Sequence, residues 1–90
     1  MAGGTRSVKT TRYFEEQVLR KRPYIRRQWC QEVLASPIRR MVQADNRIRS
    51  WGKIVVPGDA RPRYLRVVTL EDGETVHNAF FDRDFREDKR

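Results

Sequence analysis

The residues best suited to proton and phosphate chemistry in this sequence are His77 and Arg66. His77 is the single histidine, and imidazole is the side chain whose usual pKa lies nearest neutrality. A guanidinium such as that of Arg66 binds phosphate oxygens through paired, charge-assisted hydrogen bonds. The pair could deprotonate a ribose hydroxyl and stabilise charge on a phosphate, as metal-independent RNA cleavage requires. A structural histidine, and an arginine that binds a phosphate or carboxylate without catalysis, are the alternatives.

Cationic and aromatic residues are interleaved in the second half of the chain. Single-stranded nucleic acid is bound by this combination, because cations contact phosphates while rings stack on bases. The candidate nucleic-acid-binding residues are Arg40, Arg49, Trp51, Lys53, Tyr64 and Arg66. A solvated, arginine-rich sheet face and a docking site for an acidic protein are the alternative interpretations.

Charge is unevenly distributed along the 90 residues, whose formal net charge is +8. Residues 1–66 carry 16 basic and 5 acidic residues, whereas residues 67–90 carry 4 basic and 7 acidic residues. A basic body favours a polyanionic partner. RNA is therefore the preferred partner, and an acidic protein such as an antitoxin is the other.

Several classes of site are excluded by what the sequence lacks. One cysteine, Cys30, and one histidine rule out an intramolecular disulfide and make a Cys- or His-based metal site improbable. Cys30 falls in the apolar stripe of a helix and is predicted to be a core residue. With no glycine-rich phosphate loop, no cofactor or metal is expected. No apolar run approaches a membrane span and no apolar leader begins the chain, so we expect a cytoplasmic protein.

Two short helices are predicted in the first half of the chain. Thr11 is a suitable N-cap for a helix over residues 12–21, and Pro23 ends that run. Pro23 also suits the first turn of a second helix over residues 24–35. Ile25, Trp29 and Val33 recur every four residues there, which gives an apolar face.

After Pro37 the apolar period changes to two, which predicts strands. Residues 38–44 and 47–55 flank a turn at Asp45 and Asn46, and residues 63–70 and 75–81 flank a turn at Asp72 and Gly73. The predicted fold is α+β, with two N-terminal helices packed on one face of a four-stranded antiparallel β-meander. Residues 1–90 are predicted to form one domain, with a flexible segment over 1–10 (or a short edge strand near 6–9) and a charged tail over 82–90.

Two-residue turns would fix which side chains share a face. In the second hairpin, Tyr64, Arg66 and His77 then lie away from the helices. The predicted core side of that hairpin is Leu65, Val67, Thr69, Val76, Asn78 and Phe80. In the first hairpin, the side away from the helices is Arg40, Val42, Arg47, Arg49, Trp51 and Lys53. The opposite side is Met41, Gln43, Ile48, Ser50, Gly52 and Ile54.

Two segments also resemble a known group of proteins. Residues 11–37, with Arg22-Pro23-Tyr24-Ile25 and Val33-Leu34-Ala35-Ser36-Pro37, resemble the front of small bacterial proteins. Residues 63–81, with Tyr64-Leu65-Arg66-Val67-Val68-Thr69-Leu70, resemble their closing hairpin. These proteins look like distant relatives of the RelE and BrnT toxins of toxin–antitoxin pairs. The resemblance implies a metal-independent endoribonuclease with a basic sheet face, and a role for Arg66 at its active site.

Overall fold

A computed structural model of the chain describes residues 8–87. Two helical segments precede a four-stranded antiparallel sheet whose strands follow the chain order β1-β2-β3-β4. The strands are β1 (Arg39–Val42), β2 (Ile48–Ile54), β3 (Arg63–Thr69) and β4 (Val76–Phe81). The helices pack on one face of this sheet, which confirms the predicted α+β class and meander.

The first helix, α1, covers residues 12–21, as predicted. Its middle, Phe14–Val18, is a π-helix, in which the N–H of Leu19 bonds to the carbonyl of Phe14, and Leu19–Lys21 is α-helical. The Thr11 hydroxyl accepts the N–H of Phe14 at 3.1 Å, so the predicted cap is confirmed. Phe14 and Val18 are buried against the sheet.

The second helix, α2, is shorter than predicted and covers Arg27–Ala35. The prediction that it begins after Pro23 is wrong, because Pro23 and Tyr24 form a turn in which the N–H of Ile25 bonds to the carbonyl of Arg22. Ile25 is nevertheless buried in the core, although it precedes α2 and is not part of the helix.

The core lies between the helices and β2, β3 and β4. It contains Phe14 and Val18 of α1, Cys30 and Val33 of α2, and Leu65 of the sheet. The prediction for Cys30 is therefore confirmed. Burial raises the pKa of its thiol to about 12, which keeps the sulfur protonated at neutral pH.

The register of the first hairpin differs from the predicted one by one residue. Val42 pairs with Ile48, so three residues, centred on Asp45, separate the bonded pair Gln43 and Arg47. Asn46 closes this loop with φ of 71°, the left-handed conformation typical of three-residue hairpin loops. This one-residue shift leaves the side chains of β2 on their predicted faces but moves those of β1 to the opposite faces. The residues whose predicted faces are wrong are Arg40, Met41, Val42 and Gln43; Gln43 lies opposite Arg47, and its side-chain oxygen accepts a hydrogen bond from Arg49.

A β-bulge changes the second hairpin in the same way. Thr69 pairs with Val76 as predicted, but Val68 pairs with Asn78, which leaves His77 as an extra residue. Each later residue of β4 is turned to the opposite face. Ala79 is therefore buried in the core, whereas the predictions that Asn78 and Phe80 face the core are wrong.

The ends of the described chain both lie on the sheet. Thr10 forms a parallel bridge with Val76, flanked by backbone bonds from Val76 to Lys9 and from Thr11 to Val76. The predicted flexible segment or edge strand falls largely on residues 1–7, outside the described residues. At the other end, residues 82–87 fold back over the sheet face that the helices leave uncovered; residues 88–90 of the predicted tail lie outside the described residues.

Candidate nucleic-acid interface

Five of the six predicted nucleic-acid-binding residues lie on one sheet face, away from the helices. The register of β2 and β3 pairs Lys53 with Tyr64 and Trp51 with Arg66 across the two central strands. Each of these cross-strand pairs joins a cation to a ring. We call this surface the basic aromatic face, and its residues are Arg49, Trp51, Lys53, Tyr64 and Arg66.

Arg66 is the centre of the basic aromatic face. Its guanidinium carbon lies 4.7 Å from the ring centre of Phe80 and 5.8 Å from that of Trp51. Its side chain is 23% exposed, and its Nε is buried without a hydrogen-bond partner. Burial lowers the pKa of Arg66, and the charge of Arg49 lowers it further, against the opposing effect of Asp82. Two arginines thus create a positive site beside two rings.

Arg40, the sixth predicted residue, lies on the other side of the sheet. It pairs with Ser50, a core-side residue, and its guanidinium lies near Gly73 in the turn between β3 and β4. Arg39 takes its place, since it pairs with Trp51 and its guanidinium lies 5.0 Å from the ring centre of Phe85.

The prediction that His77 lies away from the helices is wrong, because its ring contacts Thr11 and Tyr13 at the start of α1. The bulge directs His77 to the start of α1, where its Nδ1 lies 3.0 Å from the Thr11 hydroxyl. Its ring also stacks on Tyr13, with centroids 4.8 Å apart. Burial, and next the charge of Arg47, lower the pKa of His77. The neutral imidazole can accept the Thr11 proton while the same hydroxyl caps α1.

Residues 82–87, which we call the C-terminal strap, cover the basic aromatic face. The N–H of Asp82 bonds to the carbonyl of Tyr64, which continues the pairing of β4 with β3. The chain then turns, and Phe85 packs onto the face, where it is only 7% exposed. Its ring stacks on Trp51, with centroids 5.3 Å apart, and lies 5.1 Å from that of Tyr64.

Two carboxylates of the C-terminal strap contact the polar groups of the face. Asp82 accepts the Trp51 indole N–H at 2.9 Å and lies 3.8 Å from the Arg66 guanidinium. Burial raises the pKa of Asp82, but the bond from Trp51, the N–H of Asp84 and the charge of Arg66 together bring it below its usual value. A lowered pKa means that the contacts of Asp82 are made by its ionised form.

The second carboxylate is Glu87, at the end of the described chain. It lies 3.0 Å from the Lys53 ammonium and accepts the Tyr64 hydroxyl at 2.5 Å. The hydrogen bond to Glu87 raises the pKa of both Lys53 and Tyr64. Both side chains of the Lys53–Glu87 pair are more than two-fifths exposed, so this contact is solvent-screened.

The sequence reasoning missed Arg39, Phe80 and Phe85. For Phe80 and Arg39 the cause is the shifted register. For Phe85 a signal was present, because an aromatic residue inside an otherwise charged tail needs somewhere to be buried. Beside it, a surface cleft of about 430 Å³ is lined partly by Arg63, Arg83 and Arg86, which adds cations at the end of the face.

Other kinds of site find little support within residues 8–87. In that range no group of three or more His, Cys, Asp and Glu side chains is arranged to hold a metal ion. None of the helices there is long and apolar enough to cross a membrane.

Comparison of the chain with protein-family models, with curated proteins and with solved structures found no match. The resemblance to RelE and BrnT toxins therefore stays a proposal, and the function is argued from the geometry.

Proposed function

We propose that this protein binds single-stranded RNA through the basic aromatic face, in the manner of a RelE-like protein. The observation that carries the proposal is the cross-strand alternation of cations and rings. Lys53 lies 6.0 Å from the Tyr64 ring centre, and Arg66 lies 5.8 Å from that of Trp51. Adjacent strands lie about 5 Å apart, so cations and rings of neighbouring strands lie close enough together to offer phosphate contacts and stacking partners to one RNA strand.

RNA binding is the main part of the proposal, and RNA cleavage is a subsidiary part. In an endoribonuclease that uses His77 as the proton carrier, the imidazole and Arg66 would share a phosphate. The stacking of His77 on Tyr13 and its contact with Thr11 lend no support to that pairing. Cleavage by Arg49, Lys53 and Tyr64 would use side chains that do share a face.

The test is binding of a fluorescently labelled, unstructured oligoribonucleotide by Arg49→Ala and Arg40→Ala proteins, measured by anisotropy at low salt. Both substitutions remove one arginine, but only Arg49 lies on the basic aromatic face. Arg49→Ala should weaken binding several-fold and lower the salt dependence by about 0.7 in log–log slope, the contribution of one phosphate contact on a single strand. Arg40→Ala should change both quantities much less.

Equal losses in the two variants would assign binding to net charge rather than to this face. No binding at low salt by the wild type or by any folded variant would refute the proposal. The same samples analysed on a denaturing gel score cleavage. If the wild type cleaves RNA and His77→Ala is slower by about 10²–10⁴-fold with unchanged binding, His77 is the general acid or base after all.

A second candidate function is docking of an acidic protein segment such as part of an antitoxin. One observation favours it: the chain's own Asp82 and Glu87 already contact the basic aromatic face. A synthetic peptide with the sequence of residues 81–87 distinguishes the two functions, because an acidic-protein site should bind the peptide in preference to the oligoribonucleotide.

A further inference from the structure

We infer that the C-terminal strap is an autoinhibitory element, which occupies the basic aromatic face in place of RNA and must leave for RNA to bind. This inference rests on the proposed function and adds its regulation. It follows from what the C-terminal strap contacts, how weakly most of it is held, and where it can bend.

The aromatic contact of the C-terminal strap is the kind that a base would make. Trp51 is only 5% exposed, and the ring stacked on it, nearly parallel at 16°, is that of Phe85. A base cannot stack on the same side of Trp51 while Phe85 is there. A stacking residue that is covered by its own chain can serve as a nucleic-acid platform only after the covering ring moves.

The carboxylates of the C-terminal strap take the place of phosphates. Asp82 is paired with Arg66, and Glu87 with Lys53. These are two of the three cations of the basic aromatic face, and a carboxylate and a phosphate oxygen make the same kind of contact with them. One segment thus satisfies rings and cations together, as a short oligonucleotide would.

The C-terminal strap is held in a way that permits release. Asp82 is fixed to β3 by its backbone bond to Tyr64 and to Trp51 by its side chain. Beyond it, Arg83 and Asp84 are exposed, and the Lys53–Glu87 ion pair is screened by solvent. Phe85 is the buried residue among 83–87, and Glu87 adds its contacts with Lys53 and Tyr64. The exposed turn after Asp82, closed by the bond from the Asp84 N–H to Asp82, is a suitable hinge.

Affinity for RNA is then limited by the fraction of molecules whose C-terminal strap is released. Removal of the Phe85 ring should raise that fraction. We expect Phe85→Ala to bind the oligoribonucleotide about tenfold more tightly than the wild type. The opposite sign is expected if Phe85 is itself a stacking residue for RNA, because its loss would then weaken binding.

Glu87→Ala and Asp84→Ala are a matched pair of variants that distinguishes release of the C-terminal strap from a change in net charge. Each removes one acid from the same segment, but Glu87 contacts Lys53 and Tyr64, whereas the Asp84 side chain is exposed at the hinge. Glu87→Ala should increase affinity several-fold more than Asp84→Ala. Equal increases would mean that only net charge had changed.

Displacement can be observed in the wild-type protein by NMR. The ring protons of Phe85 and Trp51 should show nuclear Overhauser contacts in the free protein and lose them when the oligoribonucleotide binds. Thermal unfolding of each variant reports whether it is folded, and Glu87→Ala tests the inference without touching the buried ring.

The outcomes separate this inference from the proposed function. If the wild type binds RNA, but folded Phe85→Ala and Glu87→Ala bind no better than wild type and Asp84→Ala respectively, or the Phe85–Trp51 contacts persist in the complex, autoinhibition is overturned and RNA binding stands. If neither the wild type nor any variant binds RNA, the proposed function and its regulation are both refuted. If Phe85→Ala binds the peptide of residues 81–87 and not RNA, the C-terminal strap mimics an acidic protein instead.

Discussion

At the scale of the residue, His77 illustrates how the neighbours of a titratable group change its role. In isolation it is the natural proton carrier of this chain. In the structure, burial and the charge of Arg47 favour the neutral imidazole, and the contacts with the Thr11 hydroxyl and the Tyr13 ring fix its position. The catalytic role of His77 stays a prediction that the cleavage assay addresses, whereas a structural role has direct geometric support.

The lowered pKa of His77 predicts a pH-dependent stability. Because the folded-state pKa lies below the unfolded value of about 6.5, the unfolded chain takes up the proton first as the pH falls. The stability linked to His77 is therefore complete above about pH 6.5 and is lost as the pH falls through the folded pKa. Urea unfolding between pH 8 and 5 should show this decrease, and His77→Gln should flatten it.

The carboxylates of Asp72 and Asp82 should not contribute to that decrease. Both have lowered pKa values, so they stay ionised between pH 8 and 5. A His77→Gln protein that keeps the full decrease between pH 7 and 5 would show that another group is responsible.

At the scale of the element, the contact between α2 and β2 depends on a glycine. A Cβ on Gly52 would lie 2.8 Å from Cγ2 of Val33 and 3.3 Å from its Cα. The sheet and helix can approach this closely only because Gly52 has no side chain. This close approach positions Ser50 and Ile54 in the core, and hence the alternating residues of β2 on the basic aromatic face.

Gly52→Ala should therefore destabilise the protein by about 1–3 kcal/mol, the usual cost of overpacking. Since the helix backbone is also close, α2 has to move away from the sheet. Thermal or chemical unfolding measures the loss. Val33→Ala in the same background supplies the double-mutant cycle, and the two substitutions should couple favourably. If the two changes in the free energy of unfolding are strictly additive, the contact between Gly52 and Val33 is not the cause of the destabilisation.

At the scale of the whole molecule, the net charge of +8 attracts any polyanion, so the question is whether RNA binding is local. The basic aromatic face provides three cations, Arg49, Lys53 and Arg66. If these make the phosphate contacts, a log–log plot of the association constant against salt concentration should have a slope of about −2 for single-stranded RNA. A slope several units steeper would instead assign binding to the basic surface as a whole.

The sequence by itself determined the elements of this protein, because each depends on local chemistry. The cap at Thr11, the apolar stripe of α2 and the alternating strands predicted two helices and a meander, and they placed Arg49, Trp51, Lys53, Tyr64 and Arg66 on one face. Only the tertiary structure decided the positions of Arg40 and His77, because one extra loop residue and one bulge each shift a register by one. It also decided that the C-terminal strap covers the face, since the burial of Phe85 depends on rings that lie more than twenty residues away in the chain and come together only in the folded sheet.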